Sequence, residues 1–212
     1  MKINIKILYF LPILLFFLTN VHASIQADLE EIEKNKIYTY DTTGHPKAKE
    51  VRLTIPYLQS WDAVEGDRPN IVKKFQKIYQ QKTITTVIYI KNAPTNKKYT
   101  SSQVKSENFR KNLIESTGEN IEYISSGSTK IEGEDAIWSI YKQNFSFPSV
   151  ELNMFCLSYS FYISNKHVLI AHAVGGLSSD KTVKTTFDEY TKLFELITSR
   201  ITLPEKWENK KN

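Results

Sequence analysis

Between residues 37 and 174 apolar and polar side chains mostly alternate, the period of two that marks β-strands, and a three-and-four spacing interrupts that pattern once before taking over near the C-terminus. The alternating runs 37–41 and 51–58 flank the turn residues Thr43, Gly44, His45 and Pro46 and predict an antiparallel pair. Residues 71–78 and 82–91 predict two more strands. The second of these is β-prone on both faces, as expected of a central strand. Residues 102–115 carry Phe109 and Leu113 four apart behind Ser102 or Ser106 as a cap, which predicts one amphipathic helix.

Four strands follow, at 121–131 with a break at Gly127, at 136–147, at 152–163 and at 167–174, where Gly175 and Gly176 are expected to end pairing. In the third of these, Phe155, Leu157, Tyr159, Phe161 and Ile163 share one face, and Cys156, Ser158 and Ser160 the other. A two-residue turn at Asn165 and Lys166 would set Tyr159 opposite His172. From Ser179 or Asp180 to about Arg200, Val183, Phe187, Tyr190, Phe194, Ile197 and Ile201 form a stripe suited to packing on a sheet, and Pro204 stops the helix. The expected fold is α+β: a predominantly antiparallel sheet flanked by helices in an αβα sandwich, with the C-terminal amphipathic helix packed on the sheet.

The first 23 residues carry a different pattern. Lys2 and Lys6 precede an apolar run over 7–18, and Val21, His22 and Ala23 make a small-residue cleavage site before Ser24, which reads as an export signal. The run is shorter than the roughly 18 residues of a spanning helix. The expected organisation is a signal at 1–23, a charged lead-in at 24–36 acting as a spacer, one globular domain at 37–203 and a charged tail at 204–212. The expected location is periplasmic or secreted, without a lipid anchor and without stable membrane insertion once the signal is cut.

Charge and cysteine content narrow the function classes. The chain has formal charge +5 and its basic residues are scattered among acids, except at Lys97 and Lys98 and at Lys210 and Lys211, so a nucleic-acid surface is not expected. Cys156 is the only cysteine, which excludes an internal disulfide and a cysteine-based metal site. His45, His167 and His172 lack paired-ligand spacing, and no GxSxG, P-loop or GxGxxG occurs. No metal, cofactor or catalytic residue is expected.

Several residues still invite a chemical reading. Cys156 with His167 or His172 and Asp135 has the types of a nucleophilic triad, but a mid-strand thiol lacks the helix N-terminus that lowers its pKa, and a buried structural thiol is the simpler account. Glu132, Glu134 and Asp135 around Gly133 read as a solvated β-turn. The loop at 59–70 combines Trp61 with Glu65, Asp67 and Arg68 and is restrained by Gly66 and Pro69, the composition of a partner-binding loop. The alternative is that Trp61 plugs the core while an acid pairs with Arg68. Ser158, Ser160, Tyr162 and His172 are candidates to line a small-ligand pocket.

The order of these elements, with the short motifs Pro56-Tyr57, Ser60-Trp61 and Gly133 to Ala136, resembles the PsbP/Mog1-like superfamily of small exported bacterial domains. The resemblance spans about residues 37–201, and Pro56-Tyr57 and Ser60-Trp61 depart from the family pattern of Tyr-Pro and Gly-Trp. It implies the αβα arrangement and a non-enzymatic role in binding or assembly with another envelope or secreted protein. A carrier of small apolar or amphipathic ligands is the second expectation, an exported hydrolase the third.

Overall fold

The computed structural model describes residues 25–94, 98–116, 118 and 120–208. The export signal and the lysines at 210 and 211 lie outside them. Among the described residues nine strands form two antiparallel sheets. β1 (Ile37–Asp41) pairs with β2 (Thr54–Leu58), and the others build a seven-stranded sheet. Those seven are β3 (Asp62–Glu65), β4 (Ile71–Tyr79), β5 (Lys82–Asn92), β6 (Ile121–Ile131), β7 (Glu134–Phe147), β8 (Val150–Ile163) and β9 (Lys166–Leu177), in the order β3-β4-β5-β9-β8-β7-β6. Of the helices, α1 (Ile25–Glu33) and the long α4 (Val183–Ser199) pack with the β1-β2 ribbon on one face, while α2 (Ser101–Lys105) and α3 (Glu107–Glu115) cover part of the other. A short α5 (Glu205–Glu208) follows α4. This is the expected α+β fold with helices on both faces of an antiparallel sheet.

The stripe on α4 explains why that face is the main core. Phe187, Tyr190, Leu193, Phe194 and Ile197 are buried against Ile84, Ile88, Phe161, Val168 and Ile170, which the strand alternation sends to the same side. Each such ring contributes several kcal/mol, about 3–5 by truncation. On the opposite face a smaller cluster joins Tyr99, Val104, Ile137 and Tyr162 beneath α2 and α3.

Several expectations need correction. The segment ahead of β1 is no spacer: Ile25, Asp28, Leu29 and Ile32 recur on one side of α1, and Asp28 and Ile32 are buried. Residues 59–70 are not all loop, because Asp62–Glu65 pairs with β4 as an edge strand. The helix expected at 102–115 is two, broken at Ser106, which ends α2 in extended backbone and then caps α3 by accepting from the Phe109 N–H. Gly127 does not break β6. It pairs with Trp138, whose ring lies 2.6 Å from where a β-carbon would stand. Gly175 and Gly176 likewise continue β9, and at Gly176 the missing side chain makes room for Val183 at the start of α4. The β8-β9 turn is Ser164 and Asn165, so Leu157, and not Tyr159, stands opposite His172.

Candidate functional site

The 59–70 segment is built around its tryptophan. Trp61 is 4 % exposed and belongs to the main core, and its indole N–H meets no acceptor among the described residues. A side chain this buried cannot contact a partner, which corrects the expectation that Trp61 anchors a recognition surface. Glu65 is exposed and bound by Lys73 and by His45, whose Nε2 lies 3.2 Å away, and these partners hold its carboxyl below the usual range. Asp67 lies 3.5 Å from Lys74 and is also held low, first by a hydrogen bond from its own backbone and then by that lysine. Arg68 is exposed, and it adds to the field that lowers Asp67, while the ion-pair partners of the two acids are Lys73, His45 and Lys74.

The proposed pocket residues do not meet. Cross-strand pairing sets Leu157 opposite His172 on the α4 side, and strand alternation therefore sends Ser158, Ser160 and Tyr162 to the α2-α3 side. The sheet separates them, so a pocket lined by all four is not formed. His172 is completely buried between hydroxyls, with Nδ1 2.8 Å from Thr86 Oγ1 and Nε2 2.8 Å from Thr198 Oγ1, and it stacks on Phe194. Burial pushes its pKa down to about 3 from 6.5, leaving a neutral imidazole that joins β5, β9 and α4.

On the other face, Ser160 Oγ lies 2.7 Å from Tyr99 Oη and 2.7 Å from His167 Nε2. The adjoining cavity, lined by Lys98, Tyr99, Glu134, Asp135 and Tyr162, holds only about 30 Å³, space on the scale of a water molecule or two. A larger depression of about 470 Å³ beside α1 is lined by Ala27, Glu30, Glu31, Lys34, Lys36, Gln59 and Ser60, a charged wall unlike an apolar ligand site. Burial pushes the Cys156 thiol up to about 12, the opposite of an activated nucleophile, and the sheet separates it from His172. Among the described residues no three metal-ligating side chains converge. Glu132 and Gly133 form a tight turn with positive φ, and Lys206 and Trp207 of α5 clasp it through the Glu132 carbonyl, its carboxylate and Glu134. The expected charged tail is therefore tied to the body at its start.

Two features escaped the sequence reading. Asp28 of α1 is 1 % exposed, pairs with Lys77 Nζ at 2.6 Å and accepts from Tyr190 Oη at 3.0 Å, joining α1, β4 and α4. Its signal was an acid on the apolar side of an amphipathic segment. The second is the sheet face beyond the reach of α2 and α3. Residue pairing places Phe147 beside Val150, and Phe145 beside Leu152 and Leu177 in the next row. Met154, Gly175, Thr83 and Ile78 form the row after that. Phe147, Leu177 and Ile78 are 53 %, 46 % and 50 % exposed. Val64 of β3, 36 % exposed, lies on this same face, so the 59–70 segment borders it.

Comparison with protein families and with curated proteins gives no match. A similar solved structure is that of LpqN, involved in cell envelope biogenesis of Mycobacterium tuberculosis, with a TM-score of 0.42 and 10 % identity over 82 % of this chain and 95 % of that one. A likeness of this size is one of outline and assigns neither family nor role. The PsbP/Mog1-like resemblance stays one of element order and short motifs. No helix among the described residues is long and apolar enough to cross a membrane.

Proposed function

We propose that the chain is an exported, non-enzymatic binding or assembly factor whose contact surface is the uncovered end of the large sheet. The observation that carries this reading is the group of Phe147, Leu177 and Ile78 on successive rows of one sheet face, each about half exposed, where α2 and α3 pack mainly on β6 and β7. Large side chains grouped in this way are costly to leave in water and mark interaction surfaces on soluble proteins. The occupant is another envelope or secreted protein presenting its own apolar surface, because the strip is open and flat where a small ligand would need enclosure. Its edge at Asp62 and Val64 of β3 keeps part of the expected loop in play without its tryptophan, whereas Arg68 lies towards the other end of the sheet, next to Ile71.

The test is affinity recovery from the native envelope with the wild-type chain and with Phe147→Glu/Leu177→Glu. The double variant is expected to keep its Tm within a few degrees, since both side chains are solvated already, and to lose the recovered partner. Equal recovery by the folded variant sinks the proposal. Trp61→Ala provides the contrast: it should cost about 3–5 kcal/mol in stability while the surviving folded fraction still binds.

A further inference from the structure

The large sheet has two outer strands, and they are closed off differently. β3 is four residues long, exposed throughout and bounded by the acids Asp62 and Glu65, features that keep another strand away. β6 is eleven residues long, and among the described residues β7 is its one neighbour in the sheet. Which of its backbone groups face outward follows from the turn that joins the two strands. Glu132 and Gly133 form a two-residue turn with φ of 50° and 82°, closed by the pair Ile131 and Glu134, and such a turn closes on a hydrogen-bonded pair. Bonded and non-bonded pairs then alternate. Gly127 and Thr129 therefore turn their N–H and C=O groups to β7, while Ser126, Ser128 and Lys130 turn theirs outward. Among the described residues no backbone bond reaches Ser128 or Lys130 from another segment, and both are exposed.

Arg110 of α3 lies across the middle of this edge, and it is 8 % exposed. Its Nη2 lies 3.4 Å from the outward carbonyl of Ser126, and Nε donates to Ser126 Oγ at 2.9 Å. Nη1 donates to the Val104 carbonyl near the end of α2 at 2.7 Å, and Tyr123 Oη, 2.9 Å from the same Ser126 hydroxyl, completes the group. All these acceptors are neutral, so the guanidinium is held by its fork of donors and not by a counter-charge. Its Nη2 stands where the N–H of an added strand would meet the Ser126 carbonyl. On the N-terminal side the register slips between Tyr123 and Ser125, a bulge that bends the strand and interrupts pairing. From Ser125 to Thr129 the edge reads Ser, Ser, Gly, Ser, Thr, small and uncharged, so its side chains set no barrier to a second strand.

We infer that Arg110 guards the chain against self-association: by taking the Ser126 carbonyl it keeps the β6 edge of one copy from pairing with the β6 edge of a second. The excluded occupant is a second copy because the edge matches itself. An antiparallel pair centred on Ser126 brings two outward-facing residues together as a hydrogen-bonded pair and sets Gly127 against Ser125, with no like charges opposed in that stretch. Each copy supplies the same groups, an isologous contact. The edge is a separate surface from the apolar strip, which is built on β4, β7, β8 and β9, so either can fail without the other.

The experiment measures mass by analytical ultracentrifugation over a concentration series for the wild type, Arg110→Met and Arg110→Met/Ser126→Pro. Arg110→Met keeps a long side chain without its donors, and it should shift to twice the wild-type mass as concentration rises. Proline at 126 removes the outward N–H without touching the ladder to β7, so the double variant should return to the wild-type mass. Arg110→Met should associate equally when combined with Phe147→Glu/Leu177→Glu. Amide exchange reads the edge in the wild type itself: Ser128 and Lys130 should exchange faster than Gly127 and Thr129. Equal protection of all four would show an edge already covered and overturns the proposal. A folded Arg110→Met that keeps the wild-type mass does the same, as does association that survives proline at 126 or disappears with the strip. Should Arg110→Met fail to fold, Arg110→Lys, which keeps the charge but not the fork, takes its place and is read the same way. Loss of fold there too assigns Arg110 to folding and overturns the guard.

Discussion

His172 shows how one side chain's surroundings set the pH behaviour of the protein. Both its nitrogens face hydroxyls, Thr86 on β5 and Thr198 on α4, and no acid stabilises a charge there. Its folded pKa of about 3 lies below the ordinary 6.5. Between those values the unfolded chain binds a proton that the folded chain refuses, so stability rises with pH across the interval. The contribution is complete above about pH 6.5 and is lost as pH falls towards 3, with a slope of up to about 1.4 kcal/mol per pH unit. Urea unfolding of wild type and His172→Gln from pH 3 to 7 should show the profile flattening in the variant, and parallel profiles would assign the pH dependence to other groups. The sequence placed His172 in a strand and offered it as a pocket-lining residue. Which hydroxyls satisfy it depends on α4 and β5 meeting over it, which no local pattern records.

At the scale of elements, amphipathic spacing predicted α4 well because its stripe is long and uninterrupted, whereas α1 was hidden by its charges. Four charged residues in nine obscure the inward row of Ile25, Asp28, Leu29 and Ile32, and the inward acid argues against burial until its partner is known. Lys77 and Tyr190, contributed by β4 and α4, make that burial tolerable. Asp28→Asn should therefore cost about 3–5 kcal/mol, since it leaves the Lys77 ammonium buried without a counter-charge. Asp28→Asn/Lys77→Met should recover much of the loss in the same denaturant titrations, and an additive double variant would show that the pair is not coupled. The strand glycines misled for a related reason: Gly127 and Gly176 are demanded by Trp138 and by Val183 packing close above them, whereas a sequence offers only their tendency to interrupt.

For the whole molecule, a single thiol and the absence of any cluster of three metal-ligating groups among the described residues leave the core to hold the fold. Thermal unfolding should accordingly be unchanged by reductant or by EDTA, and a fall of several degrees with EDTA would reveal a missed ion. The strand periods, the α4 stripe and the single cysteine determined the α+β class and most of the elements, because alternation and three-and-four spacing are local consequences of backbone geometry. Beyond the pairing of the first two strands, what they left open was the order and register of the large sheet. Ser158 and His172 look like neighbours in a hairpin until a register sets them on opposite faces, and Trp61 looks like a loop residue until β3 closes over the core. Charge and burial depend on distances in space, and those are fixed only when the seven strands and the helices over them have taken their order.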